Sequence, residues 1–378
     1  MRVLQQGLYN KHAMLTNSSN ISVNYGLLMK GGIICLDQCA WIALSDIMHG
    51  KHPFQNNHAV EPQQKRLFSS IFELWNQDKI IMPLTLERHV ETLKSADPER
   101  RIKLAEFMVG LSRGSTMGPC DDNLIRMEIR NYLVDLHGLS AGKYIFPWSI
   151  MGVGLLGLLG AHLEFKDSKI EEMGPKDVEE IKRIEDSLKS PDLMVRILSD
   201  SSDAEVHLRD SYLEEIFNDF GDSAKTYFEA LRSDAKRNKQ RGATWNDYQA
   251  VRDRNLFLEE IVPLSIDVFK ELGLENGPSK QPSRMSLSWD DFFVNLPSVY
   301  VRSRLIDERD RRFYHVDDPN DIPDLSFLSY SIPYGSIVVT DAKWADISRY
   351  IGLDKRFDTK ILSVSEFVNA DFDSITNF

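Results

Sequence analysis

Apolar residues follow two different rhythms along this chain. Gly31 to Leu36 (GGIICL) is a continuous apolar, partly β-branched run, the pattern of a strand buried on both faces. From Gln38 to Met48 the apolar positions recur at helical spacing. The His-, Asn-, Gln- and Pro-containing stretch Lys51 to Gln64 predicts a loop, and Leu67 to Asn76 an apolar helix. In KIIMPLTLERHVETLK (Lys79 to Lys94) a short strand-like run is stopped by Pro83, and Thr85 is placed to cap a helix bearing Glu87 and Glu91. Asp97-Pro98 opens a further helix that runs to Leu111 and ends at the RGSTMGP loop. The order strand, helix, strand, helix predicts a parallel sheet with helices on both faces.

From about Asn123 to Leu274 strand-like runs nearly vanish. Helical periodicity with heavy charge replaces them, as in EEMGPKDVEEIKRIEDSLK and SYLEEIFNDFGDSAKTYFEALRSDAKRNKQR. The polar stretch GLENGPSKQPSRMS (Gly273 to Ser286) marks the exit from this helical block. A helix then spans Leu296 to Arg309, and strands return at SIVVT and near Thr359 to Ser363, so that the end of the chain completes the sheet. One segment, WSIMGVGLLGLLGAHL (Trp148 to Leu163), is apolar enough to suggest a membrane span but falls short of the about 20 residues a bilayer requires. It reads as a buried helix. Its Gly152, Gly154 and Gly157 have the spacing of a dinucleotide-binding loop, yet Pro147 and Trp148 stand where that loop needs a strand. The glycines read as small residues for close packing.

Composition narrows the picture. With 378 residues, 42% of them hydrophobic, the chain can bury a sizeable core, and its formal charge of -12 argues against a protein that coats nucleic acid by bulk electrostatics, leaving local basic stripes as the place for phosphate contacts. Cys35, Cys39 and Cys120 are too few for a disulfide framework and read as reduced and buried, which suits a cytoplasmic protein. MRVLQQGLYNKHAML lacks the apolar region of a secretory signal, so the sequons at Asn17 and Asn20 read as loop polarity.

Two of the buried runs end in an acid: Asp37 closes GGIICLD, and Asp341 closes GSIVVTD. In an open parallel sheet, ligands gather beyond the carboxyl ends of the strands, where both aspartates would sit. Each also precedes a helix, so N-capping is the competing explanation. Glu91, after the second strand, and the Asp321/Asp324 pair add further carboxylates. Such a gathering without basic partners is tolerated when a cation sits among the acids. All the candidate ligands are oxygens, while His49, His52 and His58 lie in a loop with no CxxC nearby, so Mg²⁺ or Mn²⁺ is expected rather than zinc. The absence of a DxDxDG loop argues against calcium.

Together GIICLDQCAWIAL, PLTLERHVETLK, DIPDLSFLSYSIPYG and SIVVTDAKW, in this order, resemble the motifs of the PIN domain nuclease family. The resemblance implies an α/β fold, PIN-like and three-layered around a central parallel sheet, interrupted by a mostly helical insertion. The expected organisation is an N-terminal extension (1–29), a first PIN-like part (30–122), the insertion (123–286) and a second PIN-like part (287–378). It further implies a metal-dependent endonuclease acting on RNA or single-stranded DNA, of the kind found among toxins and defence effectors. Asp37, Glu91, Asp324 and Asp341 would be its catalytic acids, and these together with Asp321 would hold Mg²⁺ or Mn²⁺. Glu87 stays open beside Glu91 as the second acid. The family's spacer between Thr340 and Asp341 is missing, which leaves Asp346 as a further candidate, and Thr340 is placed to hydrogen-bond near the ion. Substrate contacts are expected from Arg309, Arg311 and Arg312, in the basic stretch Val301 to Arg312, and from Lys343. DAKRNKQR (Asp234 to Arg241), with Arg252 and Arg254, is the other basic run. A solvated helix face is the competing reading for both. Trp41 and Trp344 read as core residues. A catalytically silent PIN-like scaffold is the alternative to the nuclease. Apolar helix surface in the insertion suggests a homodimer, a regulatory protein partner fits the toxin reading, and no membrane association is expected.

Overall fold

Strand β1 (Gly32–Leu36) is buried along its whole length, as its unbroken apolar run predicts. The computed structural model describes residues 32–55, 58–93, 97–118, 122–154, 157, 179, 183–184, 186–199, 253, 256–274, 294–312 and 321–371. The expected N-terminal extension, Cys120, the basic run Asp234 to Arg241 with Arg252 and Arg254, and the polar exit from the helical block beyond Leu274 lie outside these residues. After β1 come helices α1 (Gln38–Met48) and α2 (Pro62–Asn76), the short strand β2 (Ile80–Ile81), and helices α3 (Leu86–Leu93) and α4 (Pro98–Ser112). Asp97 caps α4 by accepting from the amides of Glu99 and Arg100, and Pro98 fills its first turn, as the Asp-Pro pair predicts.

Strand β3 (Ser115–Met117), helix α5 (Asp122–His137), strand β4 (Met151–Val153) and helix α6 (Pro191–Ser199) follow. Helices α7 (Val262–Glu271), α8 (Pro297–Arg312) and α9 (Asp321–Tyr334) lead to strand β5 (Ile337–Thr340). Helices α10 (Ala342–Tyr350) and α11 (Leu353–Phe357), strand β6 (Lys360–Ser363) and helix α12 (Val364–Val368) end the described chain.

The fold is mixed α/β and mostly helical, with a four-stranded sheet in the order β2-β1-β5-β6 in which every pairing is parallel. Alternation along the strands sends Ile34 and Leu36 of β1, with Ile337 and Val339 of β5, to one face. There they join Trp41 and Leu44 of α1, Phe68 of α2, Phe107 of α4 and Phe367 of α12 in a single buried cluster. Trp41 meets Phe107 edge-on, the arrangement favoured by aromatic quadrupoles.

Two short elements depart from expectation. The RGSTMGP loop contains strand β3, and the start of the expected Trp148 to Leu163 helix is a turn of 3-10 helix followed by β4, which pairs antiparallel with β3. Leu84 also bonds to β3 on its other side, through Leu84 N to Ser115 O (2.9 Å) and Met117 N to Leu84 O (2.8 Å). Once β3 is buried, its backbone groups need partners, and that requirement outweighs the helical bias of the Gly-Leu run. The glycines are packing residues. A Cβ on Gly152 would lie 2.4 Å from the Cα of Gly157, and one on Gly154, at φ +70, would lie 2.5 Å from the Leu188 carbonyl oxygen. Neighbouring backbone therefore packs directly against both glycines.

Two compact units share the chain. The first comprises Met1–Pro119, Phe146–Asp200 and Ser326–Phe378 and carries the sheet; the second comprises Cys120–Ile145 and Ser201–Leu325. The expected 123–286 block is thus divided between them: α6 packs against α4 and α3 in the first unit, whereas α5 and α7 belong to the second. In the second unit Ile125, Ile129 and Leu133 of α5 form a core with Leu264 and Val268 of α7 and Val299 of α8. The buried Glu128 carboxylate of α5 accepts from Ser298 N (3.0 Å) and Ser298 Oγ (2.8 Å), which satisfies donors in the first turn of α8. Among the described residues no helix is long and apolar enough to cross a membrane.

Candidate functional site

The carboxyl edge of the parallel sheet gathers the strongest sequence candidates of the first unit. β1 and β5 pair with Leu36 opposite Val339, and Asp37 N continues the ladder by donating to Val339 O at 3.0 Å. Asp37 is therefore level with Thr340, and Asp341 stands one residue further on. β6 extends the edge, pairing Thr340 with Ser363.

All three strand ends deliver a helix cap. Asp37 Oδ1 accepts from Ala40 N (2.9 Å), Asp341 Oδ1 from Trp344 N (2.8 Å), and Ser363 Oγ from Glu366 N (3.2 Å). The capping role weighed for Asp37 and Asp341 is thus present in both, and one carboxylate oxygen of each is engaged in it. Asp37 is buried, at 3% exposure, whereas Asp341 is half-buried. Thr340 is fully buried, and its Oγ1 has no hydrogen-bond partner among the described residues. A fully buried hydroxyl in that condition is unusual, since buried polar groups are normally paired.

The second acid separates into two cases. Glu87, on the first turn of α3, is buried and accepts from Ser326 Oγ (2.5 Å) and Tyr330 Oη (2.6 Å), so both carboxylate oxygens are bonded within the protein. Burial and the adjacent Glu87 charge push the Tyr330 hydroxyl well above its ordinary pKa, which keeps it a donor. Arg88 lies 4.4 Å over the Phe327 ring in the same buried layer. Glu91 lies in the last turn of α3, and its side chain is outside the described residues. That turn is tied to the sheet edge by Gln38 Nε2, which donates to Thr92 Oγ1 at 2.9 Å.

Asp321 and Asp324 occupy the first turn of α9, in the second unit. Asp321 is buried and faces Arg309 Nη1 at 3.7 Å; Asp324 is half-buried. Among the proposed substrate contacts, Arg309 is itself buried and bonds Asp310 (2.6 Å), Arg312 bonds Glu308 (2.6 Å), and Arg311 approaches Glu308 at 3.7 Å with 60% of its side chain exposed. The basic stretch is therefore largely neutralised by interleaved acids, and Arg311 is the most open of the three. Lys343 lies 4.7 Å from the Trp344 ring centroid. Asp346 is exposed on α10, while Trp41 and Trp344 are fully buried, as core residues should be.

Of the two described cysteines, Cys35 is buried as expected and Cys39 is not. Cys35 is buried between the sheet and its neighbours, and burial pushes its thiol up to about 12, partly offset by the Ser331 hydroxyl. Cys39 is exposed, because the second position of α1 turns away from the core.

The donors at the sheet edge are hard oxygens, the type that suits Mg²⁺ or Mn²⁺. Among the described residues no group of three or more His, Cys, Asp or Glu side chains is close enough together to hold a metal ion. Comparisons with protein-family models, curated proteins and solved structures give no match to the chain.

Proposed function

We propose that this protein is a PIN-like, metal-dependent nuclease that hydrolyses phosphodiester bonds in RNA or single-stranded DNA. The observation that carries the reading is the β1–β5 register, which sets Asp37 and the Thr340-Asp341 pair on neighbouring strand ends at the carboxyl edge of an all-parallel sheet. Asp37 and Asp341 would hold Mg²⁺ or Mn²⁺ through the oxygens not used for capping. Glu91, Asp324 and Asp321 are the remaining acids of the set that the family resemblance implies. The bound ion would supply charge neutralisation and a water of lowered pKa. Asp37, kept in place by its cap bond, supplies a carboxylate that needs no reorientation, and the Thr340 hydroxyl orients a water against it. Lys343, two residues after Asp341, supplies positive charge toward a phosphate. A cytoplasmic toxin or defence role, a homodimer and a regulatory partner belong to this reading.

The decisive assay measures cleavage of RNA and of single-stranded DNA with Mn²⁺ or Mg²⁺ for the wild type and for Asp37→Asn. Metal-dependent cleavage that Asp37→Asn abolishes supports the assignment; cleavage that survives it rules out Asp37. A second reading, a catalytically silent scaffold, is favoured by one observation: Asp37 and Asp341 already serve as caps, and Glu87 is bonded through both oxygens. It predicts no cleavage of either nucleic acid and no divalent-ion binding.

A further inference from the structure

Strand β6 ends the sheet order, and among the described residues no strand pairs with the side of it that faces away from β5. The ladder fixes which backbone groups lie on that side. Lys360 N donates to Ser336 O at 2.9 Å, in a parallel register that pairs Lys360 with Ile337 and Ser363 with Thr340. Bonding groups alternate in direction along a strand, so those of Lys360 and Leu362 face β5, and those of Ile361 and Ser363 face outward. A lateral edge of this kind is a template for another strand unless something covers it.

Two charged side chains cover this one. Arg349, in the last turn of α10, reaches Ile361 O with Nη1 at 3.4 Å, and the same nitrogen donates to Glu366 Oε1 (2.9 Å) and Oε2 (2.8 Å). Glu366 Oε2 in turn accepts from Ser363 N at 2.7 Å. The outward carbonyl of Ile361 and the outward amide of Ser363 are thus both engaged by one ion pair. Each residue also has a local role, since a cation suits the C-terminal turn of α10 and Glu366 completes a capping box with Ser363. Neither role requires Arg349 to reach Ile361 O.

The covered groups are those that a second copy would use. Antiparallel pairing of β6 with β6 of another molecule, about a twofold axis at Leu362, sets Ile361 opposite Ser363. Each Ser363 N then donates to Ile361 O of the other copy, and each Ile361 N to Ser363 O. The strand is therefore self-complementary, and the half-buried Leu362 meets its own counterpart at the centre. We propose that the lateral edge of β6 is a docking edge for β6 of a second copy, held closed by Arg349 and Glu366. The side chains of Arg349 and Glu366 are 35% and 46% exposed, and ion pairs so open to water contribute little stability. The pair closes the edge by occupying its bonding groups rather than by its strength.

The test is the molar mass of the full chain, by size exclusion with light scattering across a range of concentrations, together with hydrogen exchange at the Ile361 amide. Arg349→Met combined with Glu366→Ala clears both bonding groups. With rising concentration this double variant should reach double the wild-type mass, and its Ile361 amide should exchange more slowly. Adding Leu362→Lys places like charges face to face on the twofold and should return the mass to that of the wild type. If the double variant does not fold, judged by circular dichroism, Arg349→Met alone uncovers Ile361 O and is read in the same way. A folded variant that keeps the wild-type mass at every concentration overturns the proposal. So does a larger mass that Leu362→Lys leaves in place, which puts the association elsewhere. A wild-type chain whose Ile361 exchange already slows with concentration overturns the closed state.

Discussion

Tyr330 donates its hydroxyl to Glu87 Oε2 at 2.6 Å inside the sheet-bearing unit, on a carboxylate whose other oxygen already accepts from Ser326. Two charge-assisted hydrogen bonds turn this glutamate into a strut between α3 and α9. Tyr330→Phe should therefore destabilise the protein by about 1–3 kcal/mol, because a buried carboxylate oxygen is left without its donor. Urea denaturation measures the loss. Under the proposed function Mn²⁺ affinity should stay unchanged, since both Glu87 oxygens are engaged within the protein.

Asparagine and alanine separate the two roles of the strand-end aspartates. Both Asp37 and Asp341 cap helices through Oδ1. Alanine at either position should cost about 1 kcal/mol of stability, whereas asparagine, which also caps, should cost only a few tenths. Thermal denaturation gives this comparison. Under the proposed function both Asn variants lose cleavage while keeping their fold, a separation that a pure cap does not predict.

Arg309 and Arg311 sit two residues apart with opposite prospects. Arg309 is buried against Asp310 and Asp321, and Arg311 is 60% exposed beside Glu308. Arg309→Ala should destabilise the protein by about 3–5 kcal/mol through the buried carboxylate it abandons. Arg311→Ala should change stability by no more than about 0.5 kcal/mol and, under the proposed function, weaken binding of single-stranded RNA. Chemical denaturation and a fluorescence-anisotropy titration with labelled RNA would distinguish the two.

Acid should loosen the end of the sheet through Glu366. Its partial burial raises the carboxyl pKa, but hydrogen bonds from Arg349 and from Ser363 outweigh that and hold it below its ordinary value. A carboxyl with a lowered pKa in the folded state binds fewer protons folded than unfolded, so its contribution is present above the ordinary value and lost as pH falls through the folded one. Stability measured from pH 6 down to about pH 3 should fall more steeply in the wild type than in Glu366→Gln.

The parts of the fold that were legible in the sequence are those whose information is local. β1 and β5 are continuous apolar runs, and Asp97-Pro98 marks a helix start regardless of what surrounds it. β3 and β4 are three residues each and exist because each supplies the other's missing hydrogen bonds, a fact that no window of sequence contains. The same division holds at the site. Asp37 and Asp341 stood out because each ends a buried run. The partners of Glu87 lie on a helix far along the chain, with Ser326 separated from it by 239 positions, and neither periodicity nor composition signals such a pairing. The Gln38–Thr92 bond was equally hidden, since both residues are polar in stretches that read as ordinary amphipathic helix.

The central pairing of the sheet also governs when folding can finish. The Ile33 amide meets the Ser336 hydroxyl across 303 positions of chain, and β1 has only the two-residue strand β2 to hold it until β5 arrives. During synthesis, the β5-facing edge of β1 must wait while the chain through residue 340 is made, whereas α1 can already meet α2 and α4. The second unit waits in the same way, since α5 packs on α7 and α8 and Glu128 meets Ser298 across 170 positions. High contact order of this kind slows folding and exposes unpaired strand edges in the interval. Refolding should therefore show a slow phase that reports the burial of Trp41 and Trp344, and nascent chains stopped before β5 should engage chaperones more than those stopped after it.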